Sequence, residues 1–276
     1  MRLLLLLSFM MVSIFSYAGG RNENGGGRGY ALSGATATKT DVWSATNNVG
    51  ALGLQNQFAL GVAYESRFFL PQTGLRSMAL VAPIGSGTFS LVGHQFGHSS
   101  YQDSRVGLGF ARKLNEYISL GVQINYVNVR LGDIYGSRSA LAAEIGLLIM
   151  PRDNLKFAFT AYNPNRAKLA DFDDERLPST LSLAGEYEFS EKVSATVQLD
   201  KDLDLPLNII TAIEYEPVER FAIRTGFATA QGTMSFGFGY EWNKINFDVA
   251  ARWQQNLGFN SAFSLSYAFG KRKKKA

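Results

Sequence analysis

The stretch Lys244-Ile245-Asn246-Phe247-Asp248-Val249-Ala250-Ala251-Arg252-Trp253-Gln254 changes chemical character almost residue by residue. Ile245, Phe247, Val249, Ala251 and Trp253 form one set, and Lys244, Asn246, Asp248, Arg252 and Gln254 form the other. Successive side chains of a strand point to opposite faces, so this period of two separates an apolar from a polar face. A helix built from the same residues would carry polar groups all round. The alternation recurs in Val193–Asp200, Thr233–Trp242 and Ala262–Phe269.

Working outward from these segments, the spacing predicts strands near 58–69, 75–84, 87–96, 104–114, 116–130, 138–150, 154–163, 179–189, 192–201, 207–216, 219–229, 232–242, 244–255 and 260–269. The pattern is weakest in the first three and the sixth, where Ala79–Val81 and Leu147–Met150 are apolar on both faces. Every second linker is tight: Leu114-Asn115-Glu116, Pro151-Arg152-Asp153, Ser190-Glu191, Pro217-Val218, Asn243-Lys244. Those between are longer, at 97–103, 131–137 and above all 163–178. Bacterial membrane barrels have short periplasmic turns, longer outer loops and an even number of strands. The fold expected is therefore all-β: a transmembrane barrel of about fourteen antiparallel strands, with both termini in the periplasm. The competing soluble β-sandwich requires no such bias of loop length to one side.

The N-terminus agrees with export. Arg2, an apolar run from Leu3 to Phe15 and the small-residue site at Ser16-Tyr17-Ala18 read as a signal peptide, residues 1–18. The run is well short of the roughly 20 apolar residues that a spanning helix needs. The division expected is a leader (1–18), an N-terminal lead and plug (19–55), a barrel (56–270) and a basic tail (271–276). Cysteine is absent, which excludes disulfides, thiol nucleophiles and Cys-ligated metals. The net charge of +4 contains Arg2 and five charges in Lys271–Lys275, so the body carries −2, and nucleic-acid binding finds no support in it.

With the apolar set facing lipid, Phe263, Leu265, Tyr267 and Phe269 lie outward, and Tyr240, Trp242 and Trp253 fit interfacial aromatic girdles. Lumen candidates are Glu65, Arg67, Arg105, Gln123, Asn125, Glu144, Lys156, Glu186, Gln198, Asp200, Glu214, Arg224, Glu241, Asp248 and Arg252. Both signs occur, and buried charges persist only when paired or hydrated. A salt-bridge network across the lumen, or onto a plug, is expected. Small inward residues such as Gly107, Gly109, Gly237, Gly239, Ser264 and Ser266 leave room for something inside.

Residues 27–55 show no strand alternation. They contain Gly27, Arg28, Leu32, Gly34-Ala35, Asp41, Trp43, Asn47 and Gly50-Ala51-Leu52. On these residues the chain resembles the FadL-like outer-membrane transport superfamily, including its PorV and PorQ branch in Bacteroidetes. That family carries a hatch of the form G-x-R-x-x-x-x-G-G-A, an Asp, then W-x-x-x-x-N-P-A-G-L, followed by a fourteen-stranded barrel. Two departures stand out: Asn47-Asn48-Val49-Gly50 replaces N-P-A-G, and Thr40-Asp41 replaces a paired acid. The resemblance implies a plug made of Gly27, Arg28, Gly34, Asp41, Trp43, Asn47 and Gly50, in the outer membrane of a Gram-negative cell.

No constellation supports catalysis, a metal or a cofactor. His94 and His98, four residues apart on a strand, would be separated by about 13 Å, too far to share a metal. His98, Ser99 and Asp103 are a polar loop, not a triad. Asp171–Glu175 lacks the spacing and glycine of a calcium loop. The basic tail could touch anionic headgroups, at about 1 kcal/mol per residue. Two functions follow from the resemblance, both with membrane lipid as a partner. The favoured one is a non-enzymatic accessory subunit, with a protein partner, in an outer-membrane secretion or assembly complex. The alternative is a channel for hydrophobic small molecules. Short loops and a charged lumen favour the first; an apolar lumen pocket, or a gap in the wall near Gly93 and Gly97, would favour the second.

Overall fold

The computed structural model describes residues 25–67, 70–98, 101–132, 136–169, 175–255 and 258–270. Fourteen antiparallel strands close on themselves, each paired with its neighbours in sequence and β1 paired with β14. They are β1 (Phe58–Ser66), β2 (Leu75–Ile84), β3 (Gly87–His98), β4 (Tyr101–Lys113), β5 (Ile118–Leu131), β6 (Ser137–Arg152), β7 (Leu155–Tyr162), β8 (Thr180–Ser190), β9 (Val193–Asp202), β10 (Asn208–Val218), β11 (Phe221–Ala228), β12 (Thr233–Trp242), β13 (Ile245–Gln254) and β14 (Gly258–Phe269). The leader, Ser99, Asp171–Asp174 and the basic tail lie outside the described residues.

Alternation of side chains decides which face meets what. Leu108, Ile124, Phe236, Val249 and Phe263 are exposed on the outer surface, and so are Tyr240, Trp242 and Trp253. In aqueous solution so continuous an apolar belt would drive aggregation, whereas a bilayer covers it. The inward positions of the same strands, such as Ser235, Asp248, Arg252 and Ser264, are buried.

The hairpin β3–β4 is longer than the residue pattern predicts. Pairing continues from Thr88–Ala111 to His98–Tyr101, so most of the expected 97–103 loop is strand. Gly97 makes this possible with a φ of +91°, and a Cβ there would lie 2.1 Å from the Tyr101 carbonyl oxygen. The wall is unbroken at Gly93, which pairs with Met78 on one side and Val106 on the other. Pro151 and Arg152 extend β6 beyond a register shift, rather than forming a turn.

Residues 25–57 run inside the barrel. They contain helices at Gly26–Ala31 and Ser44–Asn47 and a 3₁₀ segment at Val49–Leu54, all shorter than a helix that could stand alone. Their stability comes from the wall. Tyr30, Leu32, Trp43, Val49 and Leu52 are all nearly or fully buried.

Candidate functional site

The interior segment divides into two parts that meet the wall differently. Residues 42–54 form an apolar wedge. Val42, Trp43, Ala45, Val49 and Leu52 pack against Ala59, Ala79, Val81, Val92 and Ala111 of β1–β4. On β5 and β6 the wedge backbone reaches the wall backbone, because Gly121 and Gly146 lack side chains. A Cβ at Gly146 would lie 2.2 Å from Asn48 Oδ1 and 2.5 Å from the Gly50 nitrogen; one at Gly121 would lie 2.5 Å from the Val49 oxygen. Ser119 Oγ donates to the Gly50 carbonyl at 2.6 Å.

Asn48 carries this contact. Its amide donates to the carbonyls of Ala37 (2.7 Å) and Leu147 (3.2 Å), and its Oδ1 accepts from the Gly50 N–H (2.9 Å). A proline here, as in the related motif, has no side-chain donor to do so.

Residues 26–40 form an arm across β8–β14, held by polar groups and by small apolar contacts. The Gly27 N–H donates to Ser264 Oγ at 2.8 Å, and a Cβ on Gly27 would lie 2.9 Å from Asp248. Arg28 grips Glu214 through two nitrogens (3.0 and 2.5 Å) and Asp41 through a third (3.0 Å). Burial works against this charge, but Glu214 and Asp41 outweigh it and raise the Arg28 pKa well above the ordinary guanidinium value. Thr36 and Ala37 N–H groups share Gln198 Oε1. Thr38 donates to Glu186 (2.5 Å), and Lys39 Nζ lies 3.0 Å from Glu186 and 3.9 Å from Glu214. Leu32 supplies an apolar contact with Ile210, Ala212 and Ala228.

The other plug residues shape the arm and join it to the wedge. Gly34 has a φ of +98°. Asp41 Oδ1 accepts from the Trp43 N–H at 2.8 Å, starting the turn into the wedge. Asn47 Oδ1 accepts from the Gly25 N–H at 2.9 Å. The Trp43 indole lies between Gly26 and Gly61, where added side chains would meet it at 2.4 and 3.0 Å.

The lumen candidates separate into groups. Arg224 bonds both Glu214 and Asp248, the latter at 2.5 Å, and these three join Arg28, Lys39 and Glu186 in one network. Lys156 bridges Glu186 (3.5 Å) and Glu188 (2.6 Å). Arg252 covers the Tyr30 ring at 3.8 Å and donates to the Tyr30 carbonyl at 3.3 Å. Glu65 pairs with Arg67 at 2.8 Å, apart from the plug network. On β4–β6, Gln123 donates to Asn125 and Asn125 to Glu144, while Arg105 covers the Tyr162 ring at 5.6 Å. Gln198 also donates to Asp200 at 2.9 Å, and Glu241 lies half-buried near the end of β12. His94 is buried between Ser77 (2.9 Å) and Thr46 (3.3 Å), whereas His98 is exposed.

Lys39, Asn48, Gly121 and Gly146 are the participants that residue-type reasoning passes over. Lys39 carries a signal in hindsight: it is an isolated charge in a run of small residues. Among the described residues, no group of three or more His, Asp or Glu is placed to hold a metal.

On the outer wall, an apolar concavity of about 410 Å³ lies over β2–β5, lined by Leu80, Phe89, Leu91, Leu108, Phe110 and Ile124. Its floor is formed by Ser90, Gly109 and Gln123, whose side of the wall faces the plug.

No protein-family profile matches the sequence, and no curated protein matches it. Solved structures do match the fold. The toluene transporter TbuX of Ralstonia pickettii superposes with a TM-score of 0.68 at 14% identity, covering 90% of this chain and 100% of that one. The monoaromatic hydrocarbon channel CymD gives 0.70 at 11% identity, covering 92% and 100%. A FadL homologue of Pseudomonas aeruginosa gives 0.61 at 15% identity, covering 92% and 100%. The fold of this chain is thus a closed, fourteen-stranded, FadL-like barrel.

Proposed function

We propose that the protein is an outer-membrane channel for small hydrophobic molecules, with its termini in the periplasm. The carrying observation is the likeness of nearly the whole barrel to a toluene transporter and a monoaromatic hydrocarbon channel. A shared fold does not by itself transmit function, but the wall adds an argument from its own residues. An apolar seam runs between wedge and wall on the inside of β1–β4, and the apolar concavity lies outside β2–β5. Between them stand Ser90 and Gly109, which are small, and the buried amide of Gln123. A hydrophobic solute entering from the bilayer would meet this apolar concavity first.

The first of the two sequence expectations, an accessory subunit of the PorV/PorQ type, rests mainly on the resemblance carried by the hatch residues, with short loops and a charged lumen in its favour. The ion pairs that hold the plug lie on β8–β13, while Glu65, Arg105 and Glu144 add inward charge on β1–β6. The two readings separate in one experiment. A host lacking its own hydrophobe channels, expressing this protein, should take up radiolabelled toluene several-fold faster than the empty host. Uptake equal to the empty host, with other outer-membrane proteins recovered stoichiometrically in a mild-detergent pulldown, would favour the accessory subunit and reject the channel.

A further inference from the structure

We infer that the protein has a second activity: conduction of small cations along the β8–β13 side of the lumen, opened when the arm 26–40 leaves and blocked while Arg28 and Lys39 hold it in place. The proposal is independent of any hydrophobic cargo.

The two parts of the plug are fastened unequally. The wedge is packed in apolar contacts and against wall backbone at Gly121 and Gly146, and it continues directly into β1. The arm, unlike the wedge, is attached through charged ion pairs to β8 and β10, with hydrogen bonds to β9. Its apolar contacts come in three small sets: Leu32 with Ile210, Ala212 and Ala228, Tyr30 and Ala31 with Ala250 and Ala262, and Ala37 with Leu148, Ala158 and Ala184.

The charges on the two sides of that contact match. Residues 26–40 contain two cations, Arg28 and Lys39, and no acid. Behind them the wall presents three buried carboxylates, Glu186, Glu214 and Asp248, against one guanidinium, Arg224, a balance of −2. Lys156 and Glu188 cancel each other. Asp200 and Asp202, with Arg252 on β13, add a further −1 on the same side. When the arm departs, its +2 departs with it and a net acidic wall faces the passage. Charged side chains lining a pore set the sign of the ions it passes.

The space vacated is adequate. Wall glycines let the arm lie directly on the strands: a Cβ on Gly226 would meet the Leu32 backbone at 2.5 Å, and one on Gly237 would meet Ala31 at 2.6 Å. The helical part of the arm, Gly26–Ala31, takes up about 10 Å of width with its side chains, so its departure clears a route there wide enough for a hydrated monovalent cation.

The test is conductance of the mature full-length protein in planar bilayers under a potassium chloride gradient, with no hydrophobe present. The R28A/K39A variant should open at least ten times more often than wild type, with a reversal potential displaced toward that of potassium. Adding E186Q and E214Q to that variant leaves one net negative charge and should reduce the cation preference markedly. The chain has no cysteine, and the hydroxyls of Ser33 and Ser235 are 2.8 Å apart, so S33C/S235C offers a disulfide latch between arm and wall. Oxidation should suppress openings and reduction should restore them. Heat-modifiable gel migration verifies that each variant is a folded barrel. Folded R28A/K39A barrels that open no more often than wild type, that prefer anions, or that still conduct through the oxidised latch would overturn the inference.

Discussion

Replacing Gly146 by alanine adds one methyl group at one of the tightest points between plug and wall. The new Cβ would lie 2.2 Å from Asn48 Oδ1, 2.5 Å from the Gly50 nitrogen and 3.1 Å from Val49 Cγ1. Neither close neighbour can turn aside: Gly50 contributes backbone, and Asn48 is tied to two carbonyls. The 3₁₀ segment must therefore move off the wall by roughly 1 Å to reach an ordinary contact distance. Overpacking of this kind costs about 1–3 kcal/mol. The displacement also stretches the Asn48–Leu147 and Ser119–Gly50 hydrogen bonds, each worth about 0.5–1.5 kcal/mol. Together the expected loss is about 2–6 kcal/mol. Gly185→Ala is the matched control, since its Cβ would meet only the Phe157 ring at 3.5 Å, an ordinary contact on the outer face. Reversible urea unfolding in lipid vesicles measures both variants, and proteolysis of the folded barrel reports whether the plug is loosened. A G146A variant within 0.5 kcal/mol of G185A, with the plug equally protected, would refute the claim that wall glycines seat the wedge.

Three further outcomes are expected. Glu214→Ala leaves Arg28 and Arg224 without their shared carboxylate, and breaking such a buried pair from one side costs about 3–5 kcal/mol; a cycle with Arg28→Ala should give a coupling of about 1.5–3 kcal/mol, and additive single effects would disprove the contact. Leu108→Arg places a charge on the exposed apolar face midway along β4, where insertion into a bilayer should weaken by about 2–4 kcal/mol; an unchanged folding free energy would mean that this face does not meet lipid. Asn163 has a φ of +52° and donates to Leu177 O, Pro178 O and Ser179 Oγ while accepting from the Ala167 N–H. Asn163→Ala should speed hydrogen exchange in the β7–β8 connection with little change in global stability, and unaltered exchange there would show that the asparagine does not organise it.

The barrel was legible because alternation survives wherever the inside is polar, as it does in β12, β13 and β14. Where alternation faded, the cause is now visible. Val81, Ala79, Val92 and Leu148 point inward yet are apolar, because they face the wedge or its flank rather than water. The irregular strands were reporting the plug. The β3–β4 hairpin was underestimated because Gly97 and the polar residues after it resemble a loop, although the backbone keeps pairing to His98. The charge network was less accessible. Lys39 and Glu186 are far apart in sequence, and their meeting depends on where the arm crosses β8, which no local pattern encodes. Inward charges could be named from parity, but not their partners.

The closing pair β1–β14 bears on how the molecule is made. Every other strand pairs with the next in sequence, so most of the wall can form as local hairpins with little chain entropy lost at each step. The last seam joins Phe58 to Phe269, and it must shut around a segment whose Gly27 already needs Ser264 on β14. Until then the nascent sheet keeps two unsatisfied edges, each able to recruit a strand from another copy. Enclosing the N-terminal segment is thus coupled to the slowest, most non-local event of assembly. Chains that lack β14 should accumulate as edge-paired aggregates rather than as empty barrels.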